Sequence, residues 1–265
     1  ALCTHDILRT RQFIKGIYQA IEDVQKKKSE PIHVFYAGTG PFATLLLPIL
    51  TKVDASQIRL HLMDENTKTL SYLDKVIQTL DLEAYVEQVI CADATAYTFD
   101  QNYTIDILVS ETMQHGLVKE QQVPIMINLV SQLPEETIVI PNNIRLELAL
   151  RNDNTNLWFE GKHDLIYLRL NTMWDFNPEF MRSVAKEDTR FKLCKNIDFS
   201  DYENAYHQLV VMTSIQIYKD TWLYPDDSGL TIPRTVLYLD QEKDRKYISM
   251  DYMITDSPDF EVIVK

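Results

Sequence analysis

The chain has 265 residues, 45% hydrophobic and 25% charged, which supports a sizeable core and excludes disordered, collagen-like and disulfide-stapled classes. Lys and Arg number 26 against 39 Asp and Glu, a formal charge of −13, so a cationic partner is electrostatically favoured and a general grip on nucleic acid would need a local patch.

From Asp6 to Lys28 apolar residues recur at helical spacing (Phe13, Ile14, Ile17, Ile21, Val24), and the basic Lys26–Lys28 end suits the last turn of a helix. A repeating rhythm follows: an apolar run His33–Ala37, a glycine-bearing turn, a helical stretch Pro41–Leu50, the run Arg59–Met63, a helix Lys68–Leu80 and the run Tyr85–Cys91. It continues through Ile105–Val109, a helix Val123–Leu133 and Thr137–Ile140. Strands alternating with helices predict a parallel sheet covered on both faces. After Pro141 the pattern changes to period-two runs: Ile144–Leu150, Leu165–Leu170, Val210–Tyr218, Thr235–Leu239, Tyr247–Ile254 and Phe260–Val264. The pattern predicts an α/β domain over residues 1–141, then an antiparallel β domain over residues 142–265. The stretch Met173–Phe199 has no clear period.

Three widely spaced cysteines, Cys3, Cys91 and Cys194, form no CxxC pair and read as reduced thiols, with no metal site. No apolar run reaches the roughly 20 residues of a membrane span, and the start ALCTHDILRT lacks the features of a secretory leader. The expectation is a soluble, cytoplasmic protein with neither nucleic acid nor membrane as partner.

The first βα turn, His33-Val-Phe-Tyr-Ala-Gly-Thr-Gly-Pro-Phe-Ala43, carries Gly38 and Gly40 around Thr39, two of only six glycines. Glycines there let the backbone turn and approach a ligand at a helix N-terminus. The turn fits a dinucleotide site, an S-adenosylmethionine site, or a tight turn alone. The second strand ends at Asp64-Glu65, where such a sheet meets a ribose diol or where a carboxylate caps the next helix. Asp93 and Ala94 occupy the loop after the third strand. The fourth strand runs into Ser110-Glu-Thr-Met-Gln-His-Gly-Leu-Val-Lys-Glu120, where Glu111 and Glu120 lie nine residues apart. Converging carboxylates repel unless a cation lies between them; otherwise Glu120 simply starts a helix.

Asp6-Ile-Leu-Arg-Thr10 resembles the D-x-x-R-T that opens the catalytic region of the protein arginine methyltransferases. Ser110-Glu-Thr-Met113 resembles their S-E-x-M, and the Glu111-to-Glu120 spacing resembles their double-E loop. Arg234–Asp240 is similar to the strand after that family's Thr-His-Trp loop. The resemblance implies an α/β Rossmann-like domain that binds S-adenosyl-L-methionine, residues 1–141, an antiparallel β-barrel-like domain, residues 142–265, and an acceptor held between them. It implies Arg9 at the methionine carboxylate, Tyr36, Gly38, Thr39 and Gly40 along the cofactor, Asp64 and Glu65 at the ribose, and Asp93 and Ala94 near the adenine. Met113 would adjoin the transferring methyl, and Glu111 and Glu120 would clamp a guanidinium. Leu230-Thr-Ile-Pro233 stands in place of Thr-His-Trp, and His115 is the candidate acid–base substitute. Tyr36 stands where that family has an acid, and Phe42 replaces its third glycine, which narrows the expected cofactor pocket. The resemblance thus implies methyl transfer to a cationic protein, peptide or small-molecule acceptor by a monomer or homodimer. A catalytically inactive cofactor-binding module of the same fold is the alternative, and a nicotinamide-dependent oxidoreductase rests only on the glycine turn and the acid 26 residues after Gly38, Asp64.

Overall fold

A computed structural model describes residues 5–100, 102–154, 156–161, 166–184, 193–198, 206–239 and 247–264. Helix α1, Ile7–Gln25, is capped by Asp6, whose side chain accepts from the Arg9 N–H at 3.0 Å. Its buried stripe of Phe13, Gly16, Ile17, Ala20 and Ile21 follows the apolar spacing. A Cβ at Gly16 would stand 2.3 Å from Ile217 Cγ2, so the missing side chain lets α1 approach the second half of the chain closely.

The strands β1 (Ile32–Ala37), β2 (Ile58–Asp64), β3 (Val86–Cys91), β4 (Ile107–Ser110) and β5 (Ile138–Ile140) form a parallel sheet in the order β3-β2-β1-β4-β5. Strand order reverses between β1 and β4, which opens a crevice beyond their carboxyl ends. The glycine turn leaves β1 there, and the Glu111-bearing loop leaves β4. Helix α2, Thr67–Thr79, is capped by Asn66, which accepts from Lys68 N and Thr69 N at 2.9 and 3.2 Å. Asp64 therefore does not supply that cap.

The expected helix Pro41–Leu50 does not form. Turns follow Gly40, and a single 3₁₀ segment covers Leu47–Thr51 with Pro48 in its first turn. Pro48 inside a longer α-helix would lack its N–H and clash with the carbonyl four residues back, and Ala43 at φ +41° already leaves the helical region. Helix α3, Gln122–Val130, is buried along nearly its whole surface, as its apolar composition demands.

The second half contains β6 (Asn143–Arg151), α4 (Asn156–Phe159), β7 (Tyr167–Phe176), α5 (Pro178–Ser183), β8 (Leu193–Asp198), β9 (Gln208–Tyr218), β10 (Thr221–Leu223), β11 (Arg234–Tyr238), β12 (Tyr247–Met253) and β13 (Asp259–Val264). One antiparallel sheet runs β10-β9-β6-β7 with β11 also on β9, and a second runs β13-β12-β8. The expected antiparallel β architecture is present; among the described residues no ladder joins the two sheets into a closed barrel. The aperiodic Met173–Phe199 stretch contains the end of β7, α5 and β8; its residues 185–192 and 199 lie outside the described residues, as do Cys3 and Asp240.

One continuous apolar core includes Phe13 and Ile17 of α1, the parallel strands, and Ile144, Leu209 and Tyr252 of the antiparallel half. Trp174 is 6% exposed and packs on Tyr252 and Phe260, as core aromatics do. His61 is buried and His33 half-buried, with His33 Nδ1 2.9 Å from His61 Nε2. Burial holds the pKa of both below the ordinary 6.5, helped by Lys28 at His33 and by His33 itself at His61. Cys91 is a free, exposed thiol. Among the described residues no helix is long and apolar enough to cross a membrane, and no group of three or more His, Cys, Asp or Glu is arranged to hold a metal.

Candidate functional site

The glycine turn is pinned to the end of β2. Gly38 N and Thr39 N donate to Met63 O at 2.9 and 3.1 Å, and Gly40 N donates to Asp64 Oδ2 at 3.0 Å. Gly38 at φ +80° and Gly40 at φ +60° occupy the left-handed region, and a Cβ at Gly38 would stand 2.3 Å from Thr112 Cγ2. The first strand-to-turn junction is thus packed directly against the loop that follows β4. Asp64 Oδ1 also accepts from Asn66 N at 3.0 Å. A carboxylate has about four lone-pair sites, so two remain for a diol.

Two cavities flank this turn and share Gly38, Gly40, Glu111 and Glu120 in their walls. The first, of about 360 Å³, is also lined by Asp6, Arg9, Tyr36, Thr39, Met113 and Leu230. The second, of about 460 Å³, is also lined by Asp64, Glu65, Asp93, Ala94, Lys119 and Asp256. Every sequence-predicted cofactor residue therefore lines one of the two, and both glutamates line both. Phe42, 45% exposed, borders the first cavity without closing it. No α-helix begins at the glycine turn, so the helix N-terminus at this cavity is that of α1, which brings Asp6 and Arg9.

Within the first cavity the Thr39 hydroxyl is buried without a hydrogen-bond partner, in a residue 4% exposed. Such an orphan suits a polar ligand group. Arg9 and Glu111 form a buried ion pair, their side chains 5% and 8% exposed. The sequence reading assigned them separate ligands; the fold couples them. Glu120 is exposed at the cavity edge and accepts from Gln114 Nε2 at 2.9 Å.

Gln122 was not singled out from sequence, yet it closes the base of the double-E loop. Its Oε1 accepts from Thr112 N and Thr112 Oγ1 at 2.9 and 2.8 Å, and its Nε2 donates to Ser110 O at 3.2 Å. A polar residue at the start of a mostly apolar helix was the available signal. Asp6, also unassigned, accepts from Gly229 N at 2.8 Å and ties the Leu230–Pro233 turn to the start of α1. His115 lines neither cavity. Burial, with Arg234 and Lys119 nearby, holds its pKa below 6.5.

The family model described as PRMT5 arginine-N-methyltransferase matches residues 3–117, from α1 into the double-E loop. No curated protein is a significant sequence relative of the chain. Among solved structures, PRMT6 with SAH superposes at TM-score 0.67 and 13% identity, covering 97% of this chain and 96% of its own. The Trypanosoma brucei PRMT1 enzyme–prozyme heterotetrameric complex with AdoHcy superposes at 0.65 and 12% identity, covering 99% and 91%. Arabidopsis thaliana protein arginine methyltransferase 10 does so at 0.61 and 11%, also over 99% and 91%. The fold is that of the protein arginine methyltransferases. Measured against the motifs of that family, the local departures are Tyr36 and Phe42 at the glycine turn and the Leu230–Pro233 turn in place of Thr-His-Trp.

Proposed function

We propose that the chain is an S-adenosylmethionine-dependent N-methyltransferase acting on a guanidinium or similar cationic nitrogen, as in an arginine side chain. The observation that carries this reading is that Glu111 and Glu120, from one loop, both border the two cavities on either side of the Gly38–Gly40 turn. In this reading residues 1–141 hold the cofactor and residues 142–265 complete the acceptor side.

The cofactor fits the residues present. The orphan Thr39 hydroxyl and the open space beside Gly40, where a Cβ would meet nothing within 4 Å, suit a polar, closely approaching backbone-like group. Arg9, Thr39 and the glycine turn would hold its methionine end, and Asp64, Glu65, Asp93 and Ala94 its nucleoside end. Bound there, it supplies an electrophilic methyl carried on a sulfonium. A guanidinium is protonated at any ordinary pH and a poor nucleophile. Glu111 and Glu120 accept its N–H groups, orient it and draw positive charge toward the nitrogens they bind, which leaves one nitrogen free to attack. Met113, 4% exposed, packs the wall beside them and keeps water out. The proton leaves late, toward the exposed Glu120 side. Catalysis by positioning and electrostatics needs no further base.

Calorimetric titration with S-adenosylmethionine, followed by radiolabelled methyl transfer to basic peptides and to cationic metabolites, tests this. Binding and transfer to peptides, lost in Glu111→Gln, support it; absence of cofactor binding at millimolar concentration overturns it.

A second reading, a cofactor-binding partner without catalysis, is favoured by the engagement of Glu111 with Arg9 and by the Leu230–Pro233 turn, which offers no histidine. The solved Trypanosoma brucei PRMT1 is an enzyme–prozyme complex, and this chain would take the non-catalytic place in such a pair. It predicts cofactor binding with no transfer to any acceptor.

A further inference from the structure

The double-E loop is strained at its apex. Gly116, Leu117 and Lys119 have φ of +72°, +56° and +68°, and two of these three are not glycine. Non-glycine residues persist in this region only where their surroundings over-determine them. Those surroundings come from the antiparallel half. The hydroxyl of Tyr252 on β12 donates to Leu117 O at 2.6 Å, and Thr213 Oγ1 on β9 accepts from Gly116 N at 3.1 Å. Lys119 N donates to Pro258 O at 2.7 Å, and Gln121 Nε2 to Asp256 O at 3.0 Å, both on the turn between β12 and β13. Tyr252 is fully buried and Thr213 is 1% exposed, so these partners cannot be exchanged for water.

The two glutamates are therefore held by different halves of the molecule. Glu111 leaves β4 and is fixed by Arg9 and the Gln122 base, whereas Glu120 follows the apex that the antiparallel sheets grip. Glu120 N additionally donates to Val118 O at 2.8 Å, a tight turn that transmits the apex conformation to its Cα. We infer that Tyr252 and Thr213 are positioning residues that set the distance between the Glu111 and Glu120 carboxylates. This rests on the methyltransferase reading for its catalytic consequence, but the mechanical part stands on the hydrogen bonds alone. The antiparallel half is then a caliper on the acceptor cation as well as a wall beside it.

Tyr252→Phe removes one hydroxyl and retains the ring against Trp174 and Phe260; Thr213→Val is nearly isosteric. Each is compared with wild type and with Ile77→Val, a remote core variant on α2 that matches a small loss of stability. Amide hydrogen exchange read over residues 116–121 is expected to speed up about tenfold in Tyr252→Phe and Thr213→Val and to stay unchanged in Ile77→Val. Cofactor affinity is expected to stay within twofold, while kcat/KM for the acceptor falls about tenfold in the two loop variants. Unchanged loop exchange in both loop variants overturns the inference whatever the activity. So does a loss of cofactor affinity that parallels the loss of turnover. A wild-type protein that transfers no methyl group overturns the functional reading instead, and the exchange data then decide the clamp by themselves.

Discussion

Gly38→Ala probes the contact on which the cofactor side of the site is built. The new methyl would meet two separate costs. A residue with a Cβ at φ +80° costs about 1–2 kcal/mol over glycine. Its Cβ would also stand 2.3 Å from Thr112 Cγ2, an overlap that must move the loop after β4 and costs about 1–3 kcal/mol. The next atoms, Thr112 Cβ and Glu111 O, are at 3.7 and 3.8 Å, so the clash is with one methyl group. Thr112→Ser deletes that methyl and keeps the hydroxyl that donates to Gln122 Oε1 at 2.8 Å. The double variant should therefore regain about 1–3 kcal/mol and retain the backbone cost of about 1–2 kcal/mol. Urea unfolding of wild type, both single variants and the double variant measures the coupling directly. A cost below about 1 kcal/mol for Gly38→Ala, or the same cost in the Thr112→Ser background, would refute the account of the turn.

Arg9→Gln leaves the Glu111 carboxylate buried without its guanidinium and should cost about 3–5 kcal/mol in urea unfolding, whereas Arg9→Met with Glu111→Leu should be close to neutral yet bind no cofactor by calorimetry. Stability should fall with pH through the His33–His61 pair. Both pKa values are lower in the fold than the ordinary 6.5, so the unfolded chain takes up protons first as pH drops below about 6.5. The slope contributed by His61 should approach, at most, about 1.4 kcal/mol per pH unit, and His61→Gln should flatten the profile between pH 7.5 and 5.5; an unchanged profile would count against it. Asp6→Ala removes both the cap of α1 and the acceptor for Gly229 N, and should cost about 2–4 kcal/mol and expose the Gly229 amide to exchange. Asp6→Asn should retain most of the cap.

The elements that were legible are those whose signal is local. The stripe of α1 and the apolar runs of β1 to β5 are periodic within a few residues, and burial of that periodicity is what forms them. The Pro41–Leu50 stretch misled because its leucines mimic a helix face while Pro48 forbids the hydrogen bonds beneath it. Period-two runs announced the antiparallel strands after Pro141 but carry no information on which strand pairs with which.

The site divides in the same way. Chain-order motifs were enough to place Gly38, Gly40, Asp64, Asp93 and Glu111 around one crevice, because each lies at or just past the carboxyl end of a parallel strand and topology brings those ends together, whereas Glu120 is returned to it by the loop apex. The sequence could not disclose that Arg9 reaches Glu111 across 102 positions, nor that Tyr252 grips Leu117 across 135. Such pairings depend on how two sheets pack, and packing is settled by the burial of whole faces rather than by any nearby residue. The types of chemical group at the site belong to the chain itself; their partners, and hence their spacing, were decided by the tertiary fold.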